Sequence, residues 1–195
     1  MLIFLTMERK IDEVGLMCNR TRVMLKKVAK GFRVHSKKLL KDADKLGKDI
    51  DVGCVQLMDS LISSAEKLLI PLPSDFERIG DSLESIIHSV STKIKDRVMF
   101  SDEAVKEIES LFEGVDELLE CLHDCIKTKN RILINHIVER SKELSELSDK
   151  YSCIHQERLV DGLCVPKASP VYLDMIDSLR NITIHICIMA ERLRA

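Results

Sequence analysis

The chain has little of the material that builds β-sheets and turns. Its 195 residues contain no Trp, only 4% aromatic residues, seven Gly and four Pro. A β-sandwich draws on a regular supply of turn residues and aromatics, so this composition argues against that class. Since 45% of the residues are hydrophobic, the chain is not disordered either. What remains is a folded protein made almost entirely of helix.

Other absences narrow the function. The seven cysteines are an odd number with no Cys-x-x-Cys spacing, which excludes a disulfide framework, a zinc ribbon and a thioredoxin-type site. No apolar run approaches the roughly 20 residues of a transmembrane helix. No phosphate-cradling glycine loop, nucleophile elbow or dinucleotide fingerprint is present. We therefore expect a cytoplasmic protein with reduced thiols, no membrane span and no enzymatic activity.

Hydrophobic periodicity predicts six helices, separated by two proline pairs and several polar clusters. The first is the clearest, because its apolar positions recur every three or four residues, as on one face of a helix. We expect it to run on to a break at Asp42–Asp44, and Ser74 or Asp75 to cap the third helix. The stripe of the first helix consists of Ile11, Val14, Cys18, Thr21, Leu25, Val28, Phe32, His35 and Leu39.

Two long helices followed by one that begins at a proline and a serine occur twice along the chain. This repetition predicts an internal duplication in which short loops keep the helices antiparallel. The fold class is thus all-α, with two tandem three-helix antiparallel bundles related by a pseudo-twofold repeat. Residues 1–98 form the first repeat and residues 99–195 the second, and together they form one compact domain.

The small net charge of −2 conceals a strong asymmetry. Nine basic residues and no acid lie between Val14 and Lys41, whereas Asp102–Asp124 holds nine acids and one lysine. The basic face either binds an acidic partner, anionic lipid or phosphate-rich ligand, or is neutralised by the acidic helix within the chain or across a dimer. Nucleic acid is not expected, because the face lacks aromatics for stacking. The candidate partner-binding residues are Lys26, Lys27, Lys30, Arg33 and Lys37.

A stripe of potential metal ligands runs along one side of the third helix. Glu77, Asp81, Glu84 and His88 are spaced by four, three and four residues and therefore share one side of the helix. Carboxylates with an imidazole suit iron, zinc, manganese or magnesium, depending on geometry. The other interpretation is a solvated acidic face.

Weaker candidates lie elsewhere. Glu120-Cys-Leu-His123 has the Glu-x-x-His spacing of carboxylate-bridged di-iron bundles, but that chemistry needs a second copy and further glutamates. Cys121 and Cys125 share a helix face and are interpreted as packing residues. Two histidines on apolar stripes, His35 and His136, are expected in the core or at an interface.

The segment Asp75-Phe-Glu-Arg-Ile-Gly-Asp81, at the start of the third helix, resembles the signature of PhoU-type proteins. These are six-helix, twofold-repeated regulators of phosphate uptake whose Glu/Asp-x-x-x-Asp motifs hold metal clusters on the outer face. Glu77 and Asp81 match that motif. In the second repeat Arg180 and Ile184 occupy the corresponding positions, so the resemblance implies no such cluster there. In this the second repeat resembles the PhoU-like domains of sodium/phosphate cotransporters, which also tend to lose the second acidic motif.

The resemblance implies a regulator of phosphate transport or phosphate signalling that acts by docking. Its partner would be a membrane phosphate transporter or the associated sensor kinase, and the protein would be a homodimer. Iron, zinc or manganese could bind at helix 3. Two alternatives stay open: a carboxylate-metal bundle with a redox or storage role, and a plain helical adaptor for another ion transporter.

Overall fold

The computed structural model describes residues 2–64 and 68–194. This part of the chain contains six α-helices, one short 3-10 helix and no strand, which confirms the all-α fold class. The helices are α1 (Leu2–Arg33), α2 (Lys37–Ser64), α3 (Leu72–Lys95), α4 (Asp102–Thr128), α5 (Arg131–Val160) and α6 (Ser169–Arg192), and the 3-10 helix is Pro166–Ala168.

The helices form two three-helix bundles joined through two equivalent pairs. In the first half α1, α2 and α3 pack against one another, and in the second half α4, α5 and α6 do the same. Across the halves α1 packs on α4 and α3 packs on α6. Both cross pairs are antiparallel, since Cys18 contacts Leu119 while Arg33 contacts Glu109, and Asp75 near the start of α3 contacts Arg192 at the end of α6. The tandem arrangement predicted from the repeated pattern is confirmed.

The apolar stripes form the core. Phe76, Ile79, Leu83, Ile86 and Val90 of α3 are all buried, as expected. In α4 the periodic residues from Ile108 to Ile126 are buried as well. Spacing at the helical period thus identified the faces that meet in the centre, because only a continuous stripe can stay in contact with neighbouring helices.

The first helix is shorter than predicted. It ends at Arg33, and the chain turns through Val34–Ser36 before α2 begins at Lys37 and continues through the expected break at Asp42–Asp44. His35 adopts a left-handed backbone with φ 52°, and the Ser36 hydroxyl accepts a hydrogen bond from the Leu39 amide at 3.3 Å. The turn contains neither Gly nor Pro, and the apolar spacing continues across it, so the sequence pattern did not predict the end of α1. Leu39 belongs to α2.

Two further expectations were wrong. Neither Ser74 nor Asp75 caps α3: the helix begins one residue after Pro71, without a side-chain cap, and Pro73 lies in its first turn where a missing amide costs little. His35 and His136, expected in the core or at an interface, are both exposed, so the core placement is wrong for each.

Candidate functional site

The basic face of α1 meets the acidic face of α4 within the same chain. Arg22 donates to both carboxylate oxygens of Asp116 at 2.7 and 3.0 Å, and to Glu120 at 2.9 Å. Arg33 donates to Glu109 at 2.6 Å. Longer ion pairs join Lys26 to Asp116 and Arg33 to Glu113. We call this set, Arg22, Lys26 and Arg33 of α1 with Glu109, Glu113, Asp116 and Glu120 of α4, the α1–α4 ion-pair seam.

The ion-pair seam perturbs its members in the direction that attraction requires. Hydrogen bonding to Asp116 raises the pKa of the Arg22 guanidinium, and hydrogen bonding to Glu109 does the same for Arg33. Burial opposes the shift at Asp116, but hydrogen bonds and charges from Arg22 and Lys26 lower the pKa of its carboxyl. Neutralisation within the chain was one of the two interpretations of the basic face, and the structure shows it.

Part of the predicted docking surface is therefore already used. Lys26 and Arg33 pair with α4, whereas Lys27, Lys30 and Lys37 form no ion pair among the described residues. Lys26, Lys30 and Arg33 line an open groove of about 400 Å³ between α1 and α4, together with the acids opposite them. The groove thus carries both signs of charge, in contrast to the purely basic face that the sequence of α1 predicts.

The acidic stripe of α3 is joined by acids from α2. Glu77 and Asp81 are exposed, and Glu84 lies at the α2–α3 contact beside Gly47. Burial, and then the charge of Asp81, raises the pKa of Asp51 on α2. Burial also raises the pKa of Glu84, followed by the charges of Asp51 and neighbouring acids. The acidic face, defined as Asp44 and Asp51 of α2 with Glu77, Asp81 and Glu84 of α3, is thus under mutual repulsion.

Within this acidic face Lys48 pairs with Asp44 at 3.0 Å. Among residues 2–64 and 68–194, no three His, Cys, Asp or Glu side chains are grouped closely enough to hold a metal ion. His88, the fourth member of the predicted set, is exposed toward the other end of the stripe. The carboxylates share a face as predicted, and metal binding there stays a prediction.

Asp75, the first residue of the PhoU-like segment, has a different position. It is 4% exposed and accepts hydrogen bonds from Arg192 and His185 on α6, the latter at 3.2 Å. Burial, and then the charge of Arg78, lowers the pKa of His185. Within seven residues the segment therefore has an inward carboxylate that ties α3 to α6 and outward ones that belong to the acidic face.

A second polar cluster lies at the end of the bundle where α5 meets α6. Glu107 accepts hydrogen bonds from Arg158 at 2.6 Å and from the Tyr172 hydroxyl. The His155 ring stacks on Tyr172 with centroids 4.4 Å apart, and its Nε2 lies 2.7 Å from the Ser169 hydroxyl. Burial, followed by the charge of Arg158, lowers the pKa of His155, so the ring is held neutral.

Lys93 is a buried lysine that pairs with no carboxylate among the described residues. It is 5% exposed, and its Nζ lies 2.8 Å from His35 Nε2 and over the rings of Phe32 and Phe100 at 5.7 and 5.2 Å. Burial lowers the pKa of this ammonium. His35 must be neutral to accept a hydrogen bond from the Lys93 ammonium.

Sequence reasoning missed these two clusters. Glu107, His155 and Tyr172 lie 17 to 65 residues apart along the chain, and no local spacing connects them. The available signal was a polar residue within each apolar stripe. To predict the partner of such a residue one must know how the helices are aligned with one another, and the periodicity of a single helix does not specify that.

No family model matches this chain, and a search of curated proteins finds no match. Among the described helices none has the length and apolar character that crossing a bilayer requires. All seven cysteines are free thiols, as predicted. Glu120 and His123, the lone Glu-x-x-His pair, contact Arg22 and Asp124 respectively.

Proposed function

We propose that the chain is a PhoU-like cytoplasmic regulator of phosphate transport that acts by docking onto a membrane phosphate transporter or its sensor kinase. The resemblance of Asp75–Asp81 to the PhoU signature suggests the family, and the paired three-helix repeats agree with it. The observation that carries the proposal is the division of that segment. Asp75 stabilises the junction of the two repeats, while Glu77 and Asp81 are left exposed on an acidic face.

The acidic face is the better docking surface of the two that the sequence indicates. The α1–α4 ion-pair seam uses Arg22, Lys26 and Arg33 internally, so the basic surface is compensated in part. The acidic face carries five carboxylates with Lys48 as its one ion-paired cation among the described residues. Burial, and then the charges of neighbouring acids, raises the pKa of Asp51 and Glu84, and a cationic segment of a partner would relieve the repulsive part.

Binding to the partner's cytoplasmic portion, measured by calorimetry, tests the proposal. The variant Glu77→Gln/Asp81→Asn/Glu84→Gln should weaken binding at least about tenfold, since attraction between opposite charges speeds association and contributes to affinity. A matched control removes three exposed acids of α5, as Glu139→Gln/Glu143→Gln/Glu146→Gln, and should bind like the wild type. Equal losses in both variants would show that total charge matters and the acidic face does not.

The same proposal includes one or more ions of iron, zinc or manganese along the α3 stripe of Glu77, Asp81, Glu84 and His88. Carboxylates that repel one another bind a cation readily, which is the chemical reason to expect it. Elemental analysis of untagged protein, beside Glu77→Ala/Asp81→Ala with folding verified by circular dichroism, measures it. Near-stoichiometric metal lost in the double variant supports the site. Its absence from both proteins leaves docking without a metal.

The proposed homodimer is tested separately by sedimentation equilibrium over a concentration series. The redox or storage alternative needs an assembled set of ligands, and the described residues offer none. The adaptor alternative differs from the main proposal only in its cargo. Comparing phosphate uptake with uptake of other ions, in cells with and without the protein, distinguishes the two.

A further inference from the structure

Cys164 lies in a setting that the other cysteines do not share. Its Sγ is 3.9 Å from His155 Nδ1, and both residues line a cavity of about 160 Å³ at the end of the bundle. Burial raises the pKa of five other thiols, which keeps them protonated and unreactive. Those five are Cys18, Cys54, Cys121, Cys125 and Cys187.

The imidazole beside Cys164 is held in place on both sides. Its ring is 2% exposed, stacks on Tyr172 and lies 2.7 Å from the Ser169 hydroxyl through Nε2. When Nε2 donates its proton to Ser169, Nδ1 presents its lone pair to the thiol. A neutral imidazole in this orientation is a base for Cys164, as in nucleophile–base pairs generally. Arg158 adds a positive charge close enough to interact with Cys164.

The size and apolar walls of the cavity favour certain molecules as reactants for the Cys164 thiol. Apart from His155, Ser101 and the Tyr172 hydroxyl, its walls are apolar, and three exposed hydrophobic residues, Met99, Leu163 and Val165, also line it. Its volume is that of about five water molecules. A charged molecule would lose its hydration there, so a small uncharged one is favoured.

We propose that Cys164 is a modification site at which a small hydroperoxide oxidises the thiol to a sulfenic acid, with His155 as the base. Nδ1 of His155 takes the thiol proton, and the thiolate attacks one peroxide oxygen. The S–O bond forms as the O–O bond breaks, and the imidazolium returns the proton to the leaving hydroxide or alkoxide. Sulfur loses two electrons, and the peroxide is reduced: one of its oxygens becomes the sulfenic hydroxyl, and the other leaves as water or, from an alkyl hydroperoxide, as an alcohol.

The test treats the folded full-length protein with hydrogen peroxide and dimedone and follows each cysteine peptide by mass spectrometry. Cys153 on α5 is exposed and forms none of the hydrogen bonds found among the described residues, so it is the reference thiol within the same molecule. We expect Cys164 to be labelled at least about tenfold faster than Cys153 at pH 7. Equal rates would overturn the proposal.

Three variants assign the roles. His155→Gln should lower the rate at Cys164 to that of Cys153, and Ser169→Ala should lower it by about two- to threefold, because the ring loses its orientation. In Cys164→Ser the label should disappear from that peptide alone. A Cys164 to Cys153 ratio that His155→Gln leaves unchanged would show that the imidazole is not the base.

The pH profile of the wild type covers the case in which His155→Gln does not fold. With His155 as base, the rate at Cys164 rises at lower pH than the rate at Cys153 and then levels off as the imidazole becomes neutral. The same profile at both cysteines would contradict the assignment. Neither result depends on the proposed role in phosphate transport.

Discussion

Arg22 of α1 binds Asp116 of α4 through two parallel hydrogen bonds of 2.7 and 3.0 Å, although 94 residues separate them. The two residues belong to different repeats, so the pair fastens the halves of the molecule together. Planar guanidinium and carboxylate groups in this arrangement form one of the stronger ion pairs. The charge asymmetry of the sequence is therefore, in part, a device that holds the fold together.

Arg22→Ala should lower the free energy of unfolding by about 1–2 kcal/mol, because it removes a partly buried bidentate pair. Arg33→Ala is the matched control: Arg33 is 59% exposed, and its removal should cost less than about 0.5 kcal/mol. Urea unfolding of both, with a double-mutant cycle for Arg22 and Asp116, measures the difference. A coupling energy near zero in that cycle would contradict the structural role.

Removal of Asp75 should cost far more stability than removal of Glu77, although both lie in the PhoU-like segment. Asp75→Ala leaves Arg192 and His185 without their buried partner and should cost about 2–3 kcal/mol. Glu77→Ala removes an exposed carboxylate and should change stability by less than about 0.5 kcal/mol. Thermal unfolding of the two variants separates a structural carboxylate from a surface one, and similar losses would refute the division.

Stability should fall as the pH drops below about 6.5, the ordinary histidine pKa. Burial lowers the pKa of His35, His155 and His185. A base whose pKa is lower in the folded chain binds protons more readily when unfolded, so acid favours the unfolded state. Urea unfolding between pH 7.5 and 5.5 measures the slope, which His155→Gln should flatten.

At lower pH the carboxylates act in the opposite direction. Burial, and then repulsion from neighbouring acids, raises the pKa of Asp51 and Glu84, so their protonation adds stability as the pH falls through those values. Asp51→Asn should remove part of that gain. Stability that rises on acidification from pH 7.5 to 5.5 would mean that the carboxylates outweigh the histidines.

Lys93→Met should stabilise the protein at pH 7 by up to about 1 kcal/mol, because it removes a buried ammonium that lacks a carboxylate partner. Lys95→Met on the same turn of α3 replaces an exposed side chain and should have little effect. Thermal melts of both variants decide the matter. A large loss in Lys93→Met would show that the contacts to Phe32 and Phe100 outweigh the desolvation of the charge.

Two helical glycines should respond to alanine with opposite signs. At Gly80 an added Cβ meets only Asp51, at 3.9 Å, so the gain in helix propensity of up to about 1 kcal/mol should appear. At Gly114 it would lie 2.5 Å from a methyl carbon of the buried Leu144, and we expect a loss of about 1–3 kcal/mol. Chemical unfolding of the pair measures both, and a stable Gly114→Ala would mean that α4 and α5 can move apart.

Much of the fold can be predicted from the sequence alone. Periodic apolar residues from Ile11 to Phe32 and from Phe76 to Val90 predicted the buried faces of α1 and α3, because each stripe is a property of one helix. The repeated order of helices predicted two bundles. The end of α1 was not predicted, because the left-handed backbone position of the turn is occupied by His35 and not by a glycine, the usual sequence signal of a helix end.

The candidate sites divide in the same way. Glu77, Asp81 and Glu84 share one helix face, and four- and three-residue spacing is enough to predict that. The pairing of Arg22 with Asp116, the burial of Asp75 against α6 and the meeting of His155 with Cys164 depend on how helices from distant parts of the chain are aligned. Local spacing records only the direction of a side chain about its own helix axis, and the contacts between helices arise from the packing of the whole core.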